Sequence, residues 1–257
     1  HEISGNGKKP LVLLHGFMEN TTIWDEMEAH LSKDFTLIKI DLPGHGKSKV
    51  YQEIHTVELM AEKVKEVIDA LKLEKINLLG HSLGGYVSLA FAEKFPEILE
   101  SMTLFFSTTV ADDEEKKAIR RRSIAVIDEN FETFVKTSIP NLFSNNEKDI
   151  LEGKIELAKN IAKSTNKEGV KAAQLGMAER PDRTEILENL DAKILIIAGK
   201  YDNAVKTENL LKIIPEKTNI KTYVLDCGHN GHWEKPTICA EIINTELFHN
   251  LPKHFLL

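Results

Sequence analysis

The chain is predicted to fold as an α/β protein, with a mostly parallel central sheet, helices on both faces and an inserted helical cap. Three observations predict this. Short apolar runs of strand length alternate with helical repeats through the first part of the chain, and the alternation resumes at Ile194 after a long interval without strand pattern. The apolar run Ile76–Leu79 also leads through Gly80-His81-Ser82-Leu83-Gly84-Gly85 into helix-compatible sequence. That strand–turn–helix setting is what a G-x-S-x-G nucleophile elbow needs, because it holds Ser82 exposed at a sharp turn.

Taken in order, Leu11–Leu14 is a strand-like run ending in His15-Gly16-Phe17. Trp24, Met27 and Leu31 then fall at helical spacing, with Thr22 as the expected N-cap. Phe35–Ile40 is the next strand and ends in Asp41-Leu42-Pro43-Gly44-His45-Gly46. Val57, Met60, Val64, Val67, Ile68 and Leu71 mark one face of an amphipathic helix. After the elbow a helix runs through Lys94 and is stopped by Pro96, and Ser101–Phe106 reads as a strand.

Residues 110–190 show no strand pattern and are rich in Lys, Glu, Asn and Ala. Ile119, Ile124, Ile127, Phe131, Phe134 and Val135 supply a helical apolar face, and further helices are expected over Ile150–Ile161 and Gly169–Ala178. Strands at Ile194–Ala198 and Lys221–Leu225 and a helix over Thr237–Phe248 complete the pattern. Residues 1–109 and 191–257 are therefore expected to form the core, with 110–190 a helical cap at the strand ends where ligands bind.

A chain of 257 residues suits one such domain with an insertion. With 33 basic against 40 acidic residues the net charge is −7, and no aromatic-laced basic stripe offsets it, so a nucleic-acid partner is not expected. No apolar run is long enough to span a bilayer, and the N-terminus has no basic-then-apolar signal pattern. The chain opens on His1 instead of methionine, from which an upstream segment is expected. Two cysteines, Cys227 and Cys239, do not make a disulfide framework, so reduced thiols and a cytoplasmic location are expected, in a monomer or homodimer. No Cys/His spacing suggests a metal, and no phosphate-cradling glycine loop suggests a nucleotide cofactor.

A serine hydroxyl needs a base to take its proton, and the base needs an orienting acid. Asp202 follows the 194–198 strand and His229 follows the 221–225 strand, so both sit at strand ends in the order Ser, Asp, His. Asp226 is a rival acid, three residues from His229 on one loop and so less suited to reach it, and His232 competes for the base role. Ser82, Asp202 and His229 are the expected catalytic set. An oxyanion would be held by the backbone N–H of Leu83, directly after the nucleophile, and that of Phe17, after an early strand.

Together these motifs resemble the α/β-hydrolase superfamily, in its esterase/lipase-like branch with a cap. The matching residues are His15-Gly16-Phe17, Asp41 to Ser48, Gly80 to Gly85, Gly199 to Asp202, and Gly228-His229 with Glu234-Lys235-Pro236. The resemblance implies His229 as base and makes His232 a neighbour; it also gives Asp41–Ser48 a structural role beside the active-site loops. The family usually opens with antiparallel strands, of which only Glu2-Ile3-Ser4 is present. Serine at the elbow argues against the aspartate chemistry of haloalkane dehalogenases and epoxide hydrolases. It implies hydrolysis of small to medium apolar carboxylic esters through an acyl-enzyme, with no cofactor. Carbon–carbon bond hydrolysis, perhydrolysis and the lyase step of menaquinone synthesis occur on the same scaffold, as do slow-turnover small-molecule receptors.

Candidate pocket liners are Phe17, Trp24, Phe106, Phe131, Phe134, Leu142, Phe143 and Trp233. Arg120-Arg121-Arg122 is read first as a solvated helix face paired with Glu114-Glu115, and alternatively as a source of one arginine for a substrate carboxylate.

Overall fold

A computed structural model describes residues 1–31 and 33–248. Its strands are β1 (Glu2–Ser4), β2 (Lys9–Leu14), β3 (Phe35–Ile40), β4 (Ile76–His81), β5 (Leu99–Phe105), β6 (Lys193–Gly199) and β7 (Ile220–Leu225). They form one sheet in the order β1-β3-β2-β4-β5-β6-β7. All neighbours pair in parallel except β1 with β3. The short Glu2–Ser4 segment thus covers the β3 edge, in the register Glu2 opposite Lys39.

Strand side chains alternate between faces, and the core divides accordingly. Val12, Leu14, Leu78 and Leu104 join one buried cluster, while Leu11, Leu13, Leu79 and Phe105 join the other. Runs that are apolar at every position, such as Ile194–Ile197, are what a parallel sheet buried on both faces requires.

The helices are α1 (Asp25–Leu31), α2 (Val57–Ala70), α3 (Leu83–Lys94), α4 (Glu114–Ser138), α5 (Lys148–Ser164), α6 (Lys167–Glu179), α7 (Glu185–Asn189), α8 (Thr207–Lys212), α9 (Gly231–Glu234) and α10 (Pro236–Ile243). Helix α2 packs Met60, Val64 and Ile68 on the first face, and α1 and α10 pack Met27, Leu31, Ile242 and Ile243 on the second. Helix α3 is buried continuously from Leu83 to Ala92, which explains why its sequence is apolar all round.

Three details differ from the sequence expectations. The turn leading into α1 is capped by Asn20, not Thr22: the Asn20 side chain accepts the Thr22 N–H at 2.9 Å, so Thr22 donates where it was expected to cap. The long apolar repeat of α4 is interrupted at Asn130 (φ −155°, ψ 83°), whose side chain accepts the Thr133 N–H and starts a second helical run. The final helix stops at Ile243 and widens into a π-type turn over Asn244–Phe248, where Lys9 and Lys193 take the carbonyls of Leu247 and Glu246.

The helical region 114–164 forms a cap inserted between β5 and β6. Helix α6 packs along α4 and reaches the core through glycine contacts: a side chain on Gly169 would meet the backbone of Gly44 at 2.1 Å. The core thus presents its strand ends to the cap.

Candidate active site

The elbow is built from backbone contacts that only glycine permits. A Cβ on Gly80 would lie 2.1 Å from the Gly84 carbonyl oxygen, and one on Gly84 would lie 2.4 Å from that of Leu14. This close approach lets β4 turn directly into α3 at Ser82, which holds φ 49° and ψ −108°. Such a conformation is strained for a residue with a side chain and persists where the surroundings impose it. Here Ser82 donates its N–H to the Phe105 carbonyl, while its own carbonyl accepts from Gly85 N–H and Ser107 Oγ. Met18 and Phe106, just past the ends of β2 and β5, also hold positive φ. Three of the four non-glycine residues with positive φ among the described residues thus fall on loops of the candidate site, the fourth being Lys72 after α2.

Past β6, Asp202 is buried with its carboxylate divided between two tasks. Oδ1 accepts the N–H groups of Ala204 at 2.7 Å and Val205 at 2.8 Å, and Oδ2 accepts from His229 Nδ1 at 2.7 Å. In a neutral imidazole this bond places the ring proton on Nδ1 and makes Nε2 the acceptor. Ser82 and His229 both line a cavity of about 800 Å³ beneath the cap. The rival acid Asp226 is exposed and pairs instead with Lys200 at 3.1 Å. His232 is fully buried and does not line the cavity.

The two expected oxyanion donors are placed as follows. No side chain caps α3, so the Leu83 N–H at its N-terminus is one of the donors that a helix leaves unpaired. On the loop after β2, Gly16 gives its N–H to the Glu19 carboxylate at 2.6 Å. The next N–H, that of Phe17, has no acceptor among the described residues. The Asp41–Ser48 segment braces this loop. Leu42 N–H donates to His15 Nε2 at 2.9 Å, and the Asp41 carboxylate accepts from Thr21 and Lys47 N–H.

Of the candidate liners, Phe17, Phe134 and Leu142 line the cavity. Trp24, Phe106, Phe143 and Trp233 are buried in the core and Phe131 packs against it, and none of the five lines the cavity. The reason is geometric: helical or strand spacing selects a face, and these faces point at the sheet. Phe143 and Trp233 stack on each other at 6.0 Å instead.

The arginine run divides. Arg121 and Arg122 are exposed, whereas Arg120 lines the cavity and pairs with Asp112 instead of the expected Glu114-Glu115. Arg180 pairs with the same carboxylate at 2.9 Å and stacks over Tyr86 at 3.9 Å. Burial would raise the Asp112 carboxyl, but these two guanidiniums hold it down at about 2. Lys116 is a third cation on this carboxylate at 3.7 Å, Asp113 and Glu115 line the same cavity, and the Arg120 guanidinium also reaches Gln174 at 3.1 Å. Asp112, Arg120 and Arg180 are too far apart along the chain for any local pattern to reveal the cluster.

Glu234 is a second residue whose role no spacing rule disclosed. Its carboxylate accepts the N–H groups of Gly228, Asn230 and Ser144 at 2.9, 3.2 and 3.1 Å, which wraps the His229 loop and fastens it to the cap. Burial pushes its carboxyl up in spite of these bonds. Glu234→Ala orphans three buried donors and is expected to cost roughly 2–4 kcal/mol, read as a lower urea midpoint. Glu234→Gln keeps an acceptor and loses less.

The thiols of Cys227 and Cys239 are buried and pushed well up by that burial, which leaves them unreactive beside the serine. Burial also pushes His15, His45 and His232 below the usual 6.5, His45 to about 3. Neutral when folded, these imidazoles gain protons on unfolding, so stability is present above pH 6.5 and is lost as pH falls below it. Each contributes at most about 1.4 kcal/mol per pH unit. A denaturation midpoint that stays level from about pH 7 to about pH 5 would contradict neutral burial.

Comparison with known proteins agrees with this architecture. A family model described as alpha/beta hydrolase fold matches residues 9–236. A thermophilic esterase from Thermogutta terrifontis, solved with malate bound, superposes with a TM-score of 0.89 at 32% identity, over 96% of this chain and 91% of that one. A Bacillus subtilis (strain 168) protein provisionally named 2-succinyl-6-hydroxy-2,4-cyclohexadiene-1-carboxylate synthase is 28% identical over 93% of this chain and 90% of its own length. The 2-hydroxy-6-oxononadienedioate/2-hydroxy-6-oxononatrienedioate hydrolase of Escherichia coli (strain K12) is 27% identical over 90% of this chain and 84% of its own length. With the elbow, the parallel sheet and the inserted cap all in place, the chain belongs to the alpha/beta hydrolase fold family and is a hydrolase.

Proposed function

We propose that the protein hydrolyses carboxylic esters through an acyl-enzyme formed on Ser82. The observation that carries this reading is the 2.7 Å bond from His229 Nδ1 to Asp202, with His229 and Ser82 on one cavity. His229 Nε2 takes the serine proton as Oγ attacks the ester carbonyl, then returns it to the departing alcohol. The tetrahedral oxyanion lies against the N–H groups of Phe17 and Leu83, and water repeats the sequence to release the acid. A panel of aryl esters graded by acyl length tests the proposal. Turnover should be rapid and fall off for chains too long for the cavity; no turnover of any ester would remove it.

A second reading is favoured by the Arg120, Arg180 and Asp112 cluster on the cavity wall. A guanidinium on the cavity wall suits a substrate that carries a carboxylate away from the scissile bond. The Escherichia coli relative is named for a dioate, and the Thermogutta esterase was solved with malate. Carbon–carbon bond hydrolysis or a lyase step on such a substrate fits the same residues. Arg120→Ala is then expected to raise KM for a hemisuccinate aryl ester about tenfold, with KM for the neutral acetate unchanged. Arg121→Ala and Arg122→Ala serve as exposed controls. Equal KM changes for both esters would exclude a carboxylate subsite at Arg120.

A further inference from the structure

Beside Ser82, on the wall of the same cavity, lies a buried pair that the acyl-transfer reading does not use. Glu19 and His81 are 6% and 1% exposed. The Glu19 Oε2 atom accepts both the Gly16 N–H at 2.6 Å and His81 Nδ1–H at 2.8 Å. The other ring nitrogen of His81, Nε2, donates to the backbone carbonyl of His229 at 3.0 Å.

Both oxygens facing the His81 ring are acceptors without a proton to give. A neutral imidazole has one N–H and satisfies only one of them; an imidazolium satisfies both. Burial on its own would lower the His81 pKa, yet the Glu19 charge and hydrogen bond, with the His229 carbonyl, hold it above the usual 6.5. Burial would likewise raise Glu19, but the His81 charge and bond hold it at about 2. His232 also faces the pair, its Nε2 at 3.7 Å from Glu19 Oε1, and burial keeps it neutral.

The bonds run through all three loops of the candidate site. Gly16 precedes Phe17, His81 precedes Ser82, and the carbonyl that His81 holds is that of His229 itself. Replacing a buried ion pair with apolar residues is often neutral or stabilising, so a role other than stability is worth seeking for this one.

We propose that the buried Glu19–His81 ion pair is a positioning device that ties the oxyanion loop to the backbone of His229 across the nucleophile. It deepens the acyl-enzyme reading and rests on it. Neither residue touches the reacting atoms in this role; each sets where other groups stand.

The test joins kinetics to a direct view of the imidazolium. In the wild-type protein labelled with ¹⁵N-histidine, one ring is expected to keep both N–H signals at neutral pH, and His81→Asn identifies it as His81. Glu19→Gln removes the charge while its amide oxygen can still accept from both Gly16 and His81. Its kcat is expected to fall roughly 10- to 100-fold with little change in KM, as a small misplacement of reacting groups would produce. A fluorophosphonate should still label Ser82 fully, but more slowly by a similar factor. If Glu19→Gln does not fold, Glu19→Asp keeps the charge on a shorter arm and should show the same kcat-selected loss, smaller in size.

A neutral His81 in the wild type would overturn the proposal, as would a folded Glu19→Gln with unchanged kcat. Activity that is lost on chelation and restored by zinc would also overturn it, by making Glu19, His81 and His232 metal ligands. Labelling at a residue other than Ser82 would instead remove the acyl-enzyme reading, an outcome the imidazolium signal does not depend on.

Discussion

Ser82→Ala is expected to leave a folded protein whose turnover of a short-chain aryl ester falls by about 10³-fold or more. Ser82 lines the cavity at the strained elbow, which is why its hydroxyl is the proposed nucleophile. Cys227 is the nearest thiol in sequence to His229, and its burial keeps it protonated. Folding should be spared, because the bonds that hold the turn run through the Ser82 backbone and not its side chain. Initial rates on an aryl acetate, with circular dichroism to confirm the fold, check both halves. A variant that retains near-original activity would sink the assignment of Ser82 as nucleophile.

Asp202→Asn tests the other end of the same set, with an expected fall in kcat of about 10⁴-fold. The two oxygens of Asp202 do different work: Oδ1 holds the Ala204 and Val205 N–H groups, and Oδ2 receives His229 Nδ1–H. An asparagine can keep its oxygen on the two backbone donors, which turns its NH₂ toward His229. The imidazole must then accept at Nδ1 and carry its proton on Nε2, the wrong tautomer for a base. Stability should change little while kcat collapses and KM holds. A parallel loss of both stability and activity would instead make Asp202 a structural residue of its loop.

These two residues show how legible the site was in one dimension. Ser82, Asp202 and His229 each follow an apolar strand, and strand ends in a parallel sheet converge on one edge, so order and position nominated them together as the candidate set. Leu83 and Phe17 were nominated as oxyanion donors from the same kind of position. The pocket liners were not legible. Trp24, Phe106, Phe143 and Trp233 carry the right chemistry, but an aromatic at core spacing fits a buried face as well as a cavity wall, and these fill the core. Thr22 and Asn20 are both good caps, and only the chain's path decided between them.

What the linear chain determined by itself was local and periodic. Apolar runs of strand length, a helix apolar all round and glycines at the elbow dictate a parallel sheet and a serine at its edge, since each follows from neighbours a few residues apart. What only the tertiary structure decided was which charges meet. Glu19 finds His81, Asp112 finds Arg180, and Glu234 finds Ser144 across long stretches of chain. Burial makes such pairings obligatory, because a charge withdrawn from water needs a partner at hydrogen-bond distance. Nothing in the order of the residues says which partner the fold will bring.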